Sequence, residues 1–365
     1  MTDFSRYAIP PFPTRAVIIV NGVMYYEWTS VSVRCELNGN PPRTFRFTCS
    51  EQVPVGAKLA LMQIVPVVPC TIILDSNPVI NGLVTTRQVY YSATEHAIEI
   101  QGEDWAGWTA KAPAQSQTGE FKGPAVSIIQ SLAAPVGLGV EVLGDVNNIS
   151  IPRFSIQPGE TTWEAVERIA RHIGAYISSD ASGRTMQLLG PNSVLGDDEV
   201  VEGINIVEAR ETIHSLMNAA EQSVIGQAPR TDDTDQATAT QGHVTVPGLN
   251  SFGITPGVGA RSLAELPAFT LEWLQSRATH EATISSSNEI RVDVTLAGWQ
   301  RPAGGLWVPG QTVFVKSPML VMNDMPLLLH AVDFTQDNRG GTRATLELTN
   351  QPVGTQPFAT EGENT

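Results

Sequence analysis

Cysteine is scarce in this sequence: Cys35, Cys49 and Cys70 are the only three, they form no C-x-x-C pair, and their number is odd. That excludes a disulfide framework and a cysteine-based zinc site, and leaves buried reduced thiols as the reading. Histidine is thin as well. His96, His172, His214, His243, His280 and His330 are scattered, with no two at ligand spacing, so no metal is expected. Long apolar runs are missing, since nothing approaches the roughly 18 residues that span a bilayer. The first residues, MTDFSRYAIPPFPTR, carry no signal-length apolar stretch, so the expectation is a soluble chain made in the cytoplasm with no membrane part.

Positive charge is the other shortage. Lys and Arg number 22 against 37 Asp and Glu, a net charge of -15. A groove that neutralises phosphates by counterion release needs the opposite balance. An acidic wall repels a polyanion over about 8 to 10 Å and lets it slide past, so a conduit for DNA is allowed where a clamp is not.

Catalytic and cofactor signatures are also absent: there is no H-E-x-x-H, Walker A, G-x-S-x-G or EF-hand loop. Glu160, Glu164 and Glu167 share a helix with Arg168 and Arg171 and read as a solvated face with local ion pairs. The clusters Asp197-Asp198-Glu199 and Asp232-Asp233-Asp235 lack the alternating ligands of a calcium site and read as solvated loops. Gly253, Gly257 and Gly259 follow no βαβ strand, and Asn148-Ile149-Ser150 matches a glycosylation sequon by pattern only. No catalytic, cofactor-binding or metal residue is therefore assigned, and the chain is not expected to be an enzyme.

What is present is strand after strand. Residues 16–102 alternate with period two, as in Phe45 and Phe47 against Thr44, Arg46 and Thr48, and Asn38-Gly39 and Asn81-Gly82 supply turns. The fold class expected is mainly β with α+β parts, in several domains, because a single core stops growing at roughly 250 to 300 residues. Residues 1–110 form a first curled antiparallel sheet, completed by 200–226. Trp105 to Thr118 shows neither period and marks a boundary, at which Trp105 and Trp108 are candidate interface residues. Trp299 and Trp307 read as core.

Residues 111–199 read as an inserted α+β domain. It has a helix near 125–134, a strand pair around GVEVLG, and a helix capped by Thr161 or Thr162 and ended by Gly174. Residues 227–289 form a loop-rich smaller domain, with 229–242 a mobile surface loop and a helix from about Phe269 to Glu281 carrying Leu271, Leu274 and Ala278 on one stripe. Strands resume over 290–353, including Met319 to Met322, and 354–365 is a flexible tail.

Two stretches resemble each other. Asn77-Pro78 through Ile100 aligns with Met325-Pro326 through Leu348, and 326 − 78, 332 − 84, 347 − 99 and 348 − 100 are all 248. A duplicated barrel assembled as a closed trimer makes a ring of six similar units, which matches a hexamer.

The segments VNGVMYYEWTSVSVRCELNG, FRFTCSE, GETTWEAVERIARHIGAYISSDASG, EWLQSRATHEA, VTLAGWQ and GGLWVPGQTVFV lie in this order along the chain. Together they resemble the baseplate hub family of Mu-like contractile-tailed phages. The resemblance implies two tube-like antiparallel β-barrel domains and two smaller domains per chain. It also implies a homotrimer in the virion that joins the hexameric tail tube protein to the trimeric central spike protein, meets baseplate wedge proteins and lets DNA through its lumen without specific binding. It supplies no catalytic residue. Pro158-Gly159-Glu160-Thr161-Thr162-Trp163 also resembles the opening of a LysM repeat, so a peptidoglycan-binding tail or cell-wall-associated protein is the alternative. A LysM module requires a second short helix, where this sequence passes straight into a hairpin at Tyr176.

Overall fold

The computed structural model describes residues 15–25, 28–50, 64–92, 96–116, 119–190, 194–213, 221–227, 239–245, 260–265, 274, 277–279 and 290–350. The chain opens with seven strands: β1 (Val17–Val20), β2 (Val23–Tyr25), β3 (Trp28–Glu36), β4 (Arg43–Ser50), β5 (Pro69–Leu74), β6 (Asn77–Tyr91) and β7 (His96–Asp104). An inserted region follows: α1 (Trp105–Ala110), β8 (Glu120–Pro124), α2 (Ala125–Ala133), β9 (Gly139–Leu143), β10 (Ser150–Ser155), α3 (Thr162–Ile173), β11 (Tyr176–Ser179) and β12 (Thr185–Leu189). Then come β13 (Val194–Val201), β14 (Ile206–Ile213), β15 (Glu221–Gln227), β16 (Ala239–Thr245), β17 (Ala260–Glu265), β18 (Ile290–Ala297), β19 (Gln311–Ser317), β20 (Met322–Asp337) and β21 (Gly341–Asn350).

Thirteen strands form one large sheet. Its first half runs β3-β4-β7-β6-β5-β1-β2, its second β14-β18-β21-β20, with β19 and β13 beyond β20. The halves join where β20 pairs antiparallel with β3, with Phe334 opposite Val33 and Asp333 opposite Arg34. The two expected barrels are thus two units sharing one sheet. Alternation explains the sidedness: Val31, Val33, Phe45, Phe47 and Ile100 in one half, and Val292, Val294, Phe334, Leu346 and Leu348 in the other, point to the same buried core. Cys35, Cys49 and Cys70 are free thiols in that core, and Trp299 and Trp307 are buried there too.

Residues 194–213 do not complete the first unit. β13 lies parallel to β19 and β14 antiparallel to β18, both in the second unit. The alternating pattern identified these strands but carries no information about which edge they choose. β15 leaves the large sheet and forms a small one with β16 and β17. The end of the expected loop over 229–242 is therefore strand, from Ala239 onward. Of the expected helix from Phe269 to Glu281, Leu274 and Ala278 are helical and buried with the inserted domain, while Leu271 lies outside the described residues, as do 354–365.

Two further readings change. Met319 to Val321 is not strand: residues 318–321 form the turn between β19 and β20, with Met319 and Val321 exposed. Trp105 to Ala110, without a clear period, is a short helix, because Asp104 at the end of β7 accepts the Gly107 amide as its N-cap.

The inserted domain has its own core, built from Ile128, Ile129 and Leu132 of α2 and Trp163, Val166 and Ile169 of α3. α3 is capped as its sequence dictates. The Thr161 hydroxyl accepts the Glu164 amide, the Glu164 carboxylate accepts the Thr161 amide, and Gly174 ends the helix at φ 68°. α2 starts at Pro124 without a side-chain cap of its own, and Asn148 Oδ1 accepts the Val126 amide instead. Rather than pairing locally, GVEVLG supplies β9, which lies parallel to β12 in the sheet β11-β12-β9. No second helix stands between α3 and β12.

Candidate assembly interface and channel wall

The duplication is real in strand order, but its register differs from the constant offset. Three bulges fix the match. In β6, Thr85 is the extra residue between the pairs Val84–Gly102 and Thr86–Gln101; in β20, His330 is the extra residue between Leu329–Leu348 and Ala331–Glu347. On the other edge of the same strands, a bulge follows Ile72–Ile80 in one unit and Val315–Met325 in the other. A third lies at Thr29 of β3 and at Val207 of β14. Hence β6 maps onto β20 by 245, since 329 − 84 and 325 − 80 agree, and β3 maps onto β14 by 178, since 207 − 29 and 206 − 28 agree. The offset of 248 is three residues out along β6, an odd shift that regular alternation forbids, but only two out along β7, where Gly102 maps onto Leu348 and alternation permits the slip. The units correspond strand by strand: β3 to β14, β4 to β18, β7 to β21, β6 to β20 and β5 to β19.

The face away from the core is polar across both units. Arg34 bridges Glu36, Asp333 and Glu347 at 2.7, 2.7 and 3.1 Å, tying β3 to β20 and β21. Arg291 adds a contact to the other Glu347 oxygen at 3.0 Å, and Arg46 pairs with Glu99 at 2.7 Å. Register places Glu208, Arg210 and Asp293 on the same face, so its acids outnumber its arginines. Burial pushes the Asp333 carboxyl up, against the pull of Arg34, and lowers the His330 imidazole.

The candidate residues Trp105 and Trp108 lie on α1. The Arg184 guanidinium, from the turn between β11 and β12, stands 4.4 Å from the Trp105 ring centroid, while Trp108 is 36% exposed. Asp198, read as part of a solvated loop, is instead buried. It accepts Arg301 Nη1 at 2.8 Å and the Ala303 amide at 3.1 Å, so its charge is matched inside the second unit. Glu160 likewise pairs with Arg168, whose guanidinium covers Phe154. Asp232, Asp233, Asp235, Gly253, Gly257 and Gly259 lie outside the described residues. Among the described residues, no group of three or more His, Cys, Asp and Glu gathers as a metal site, and no helix is long and apolar enough to cross a membrane.

Sequence reasoning missed the exposed apolar residues Val89, Tyr90, Tyr91, Val207 and Ile213. All sit on β6 beyond Leu83 or on β14. The signal was present in Val89-Tyr90-Tyr91, where three large apolar residues in a row put one on each face of a strand meant to alternate.

Two family models match adjoining stretches. Residues 15–104 match the N-terminal domain of Mu phage baseplate assembly protein GpP-like proteins, and residues 111–186 match the second domain of baseplate hub protein gp44-like proteins. Baseplate hub protein gp44 of Escherichia phage Mu is 23% identical over 335 residues, 90% of this chain and 86% of that protein. The chain is thus similar to Mu-like baseplate hub proteins over 90% of its length. Its fold agrees with two solved tail proteins. The 43 kDa tail protein of prophage MuSo2 from Shewanella oneidensis superposes with a TM-score of 0.77 at 19% identity, covering 93% of this chain and 98% of that one. A tail protein from Neisseria meningitidis MC58 gives 0.73 at 18% identity, covering 93% and 97%. The first matched stretch is the first unit of the large sheet, and the second is the inserted domain.

Proposed function

We propose that three copies of this hub form a ring that adapts the hexameric tail tube to the trimeric central spike, with no catalytic role. One observation carries the reading: a single chain holds two units with the same strand order and the same three bulges. Three such chains present six similar units around one axis, so a trimer can meet a hexamer without a symmetry clash. The polar face fits the channel wall. It runs unbroken across the join between the units, and its excess of acids keeps DNA from adhering. Wedge proteins would then be left the outer surfaces, including the inserted domain.

Co-sedimentation of the purified chain with its tail tube and spike proteins tests the adapter reading. The hub is expected to bind both at once; binding to neither would overturn it. Incubation with peptidoglycan sacculi addresses the LysM-like alternative, since a hub stays in the supernatant, and fragment release from the sacculi would contradict the non-catalytic reading.

A further inference from the structure

Within the chain, the second edge of β20 is filled twice: β19 covers it up to Leu328, and β3 takes over from Ala331 to Asp337. β6 is the counterpart of β20, and β5 covers its second edge only up to Leu83. Backbone bonds from Val67 and to Val68 extend that cover to Val84, as the Gly310 amide does at Leu329. From Thr86 on, no described strand occupies that edge. β14 is the counterpart of β3. It pairs with β18 on one side, and no described strand lies on the other. The sheet therefore ends in two halves of a junction it has already built once internally.

We infer that β6 of one copy pairs antiparallel with β14 of the next, repeating the β20–β3 junction between chains. The inference rests on the ring reading and gives it a register. Subtracting 245 from the β20 positions and adding 178 to the β3 positions turns Phe334–Val33 into Val89–Glu211, Val332–Cys35 into Arg87–Ile213, and Asp333–Arg34 into Gln88–Thr212. The state of these residues fits. Phe334 and Cys35 are 1% and 2% exposed, whereas their counterparts Val89 and Ile213 are 50% and 39% exposed, as a surface awaiting cover would be. Arg87 Nε and Glu211 Oε1 are both shielded from solvent without a hydrogen-bond partner. In the inferred register they are diagonal neighbours on one face, within reach of two long side chains, and each supplies what the other lacks. Burial already raises the Glu211 carboxyl, and a guanidinium beside it would restore its charge. Because the two edges are different surfaces, the contact is head-to-tail, the type of contact from which a closed ring is built when its rotation closes.

Two sets of variants of the full chain test this. Gln88→Cys with Thr212→Cys places thiols directly opposite each other across the junction, at a separation a disulfide spans, whereas Gln88→Cys with Arg210→Cys is two residues out of register. Under oxidation the first pair is expected to give covalent trimers and the second none. Separately, Arg87→Glu or Glu211→Arg alone should raise the concentration for half-assembly by about tenfold or more, and the double swap should restore it. The two residues lie on strands separated by six others in the sheet, so rescue can only act between chains. Trimers that cross-link at neither pair, or only at the shifted one, overturn this junction while leaving the ring intact. A chain that stays monomeric at high concentration without cross-links overturns both.

Discussion

Arg43 on β4 donates from Nε and Nη2 to the carbonyl oxygen of Ser179 on β11, at 3.0 and 2.6 Å, and from Nη1 to the Val79 carbonyl at 2.7 Å. One buried guanidinium thus joins two strands of the first unit to the inserted domain. Arg43→Met leaves those two carbonyls without their donor, which should cost about 2 to 4 kcal/mol. Urea unfolding measures the loss, and hydrogen exchange should show it at residues 176–179 first. A variant as protected there as the parent would contradict the latch.

Asp104 closes the same network. It caps α1 and accepts the Ser179 hydroxyl at 2.5 Å, yet burial pushes its carboxyl up to about 6 from an ordinary 3.8, against the pull of Ser179, Gly107 and Arg43 and with a small push from Glu103. A carboxyl raised in the folded state holds its proton longer there than in the unfolded chain. Its contribution is complete below about pH 4 and is lost as pH rises through about 6, a difference of about 3 kcal/mol at most. Asp104→Asn removes that dependence. Its stability relative to the parent should climb between pH 4 and 7, and parallel melting curves over that range would contradict the shift.

Arg34 bridges Glu36, Asp333 and Glu347, all at least two-thirds buried, while Arg291 reaches Glu347 alone. Arg34→Ala leaves Glu36 and Asp333 without their cation, and Glu347 with Arg291 alone, across the join of the two units. A destabilisation of about 1 to 3 kcal/mol is expected in dilute buffer, shrinking as salt screens the repulsion. Chemical denaturation at low and high salt checks both the size and the trend.

The capping box of α3 should behave as a local device. Thr161→Ala removes the acceptor for the Glu164 amide and should cost about 1 kcal/mol. Assembly should be unchanged, since the helix packs into the inserted domain's own core. Thermal melts and particle mass, measured on the same sample, separate the two effects.

Much of this was legible in the residues. Alternation located the strands, and Thr161 with Glu164 and Gly174 marked α3, because caps and periods are local properties of sequence. Pairing partners are not. Nothing in the alternation of β13 and β14 says which edge they join, and Asp198 looks like any loop acid until Arg301 is folded against it. The repeat was visible, but its register depended on Thr85, His330, Thr29 and Val207, whose bulges leave no compositional mark. Arg87 and Glu211 were silent for a related reason: a charge on a strand reads as solvent-facing until the sheet shows which side it is on.

The central claim is that the two units of one chain and those of its neighbours form one ring of six. Electron microscopy of the assembled hub, with native mass spectrometry for copy number, tests this most directly. The account predicts three copies, six alike lobes around an open channel, and sheet continuity from β6 of each chain into β14 of the next. Two copies, or three copies with both edges left facing solvent, would contradict it.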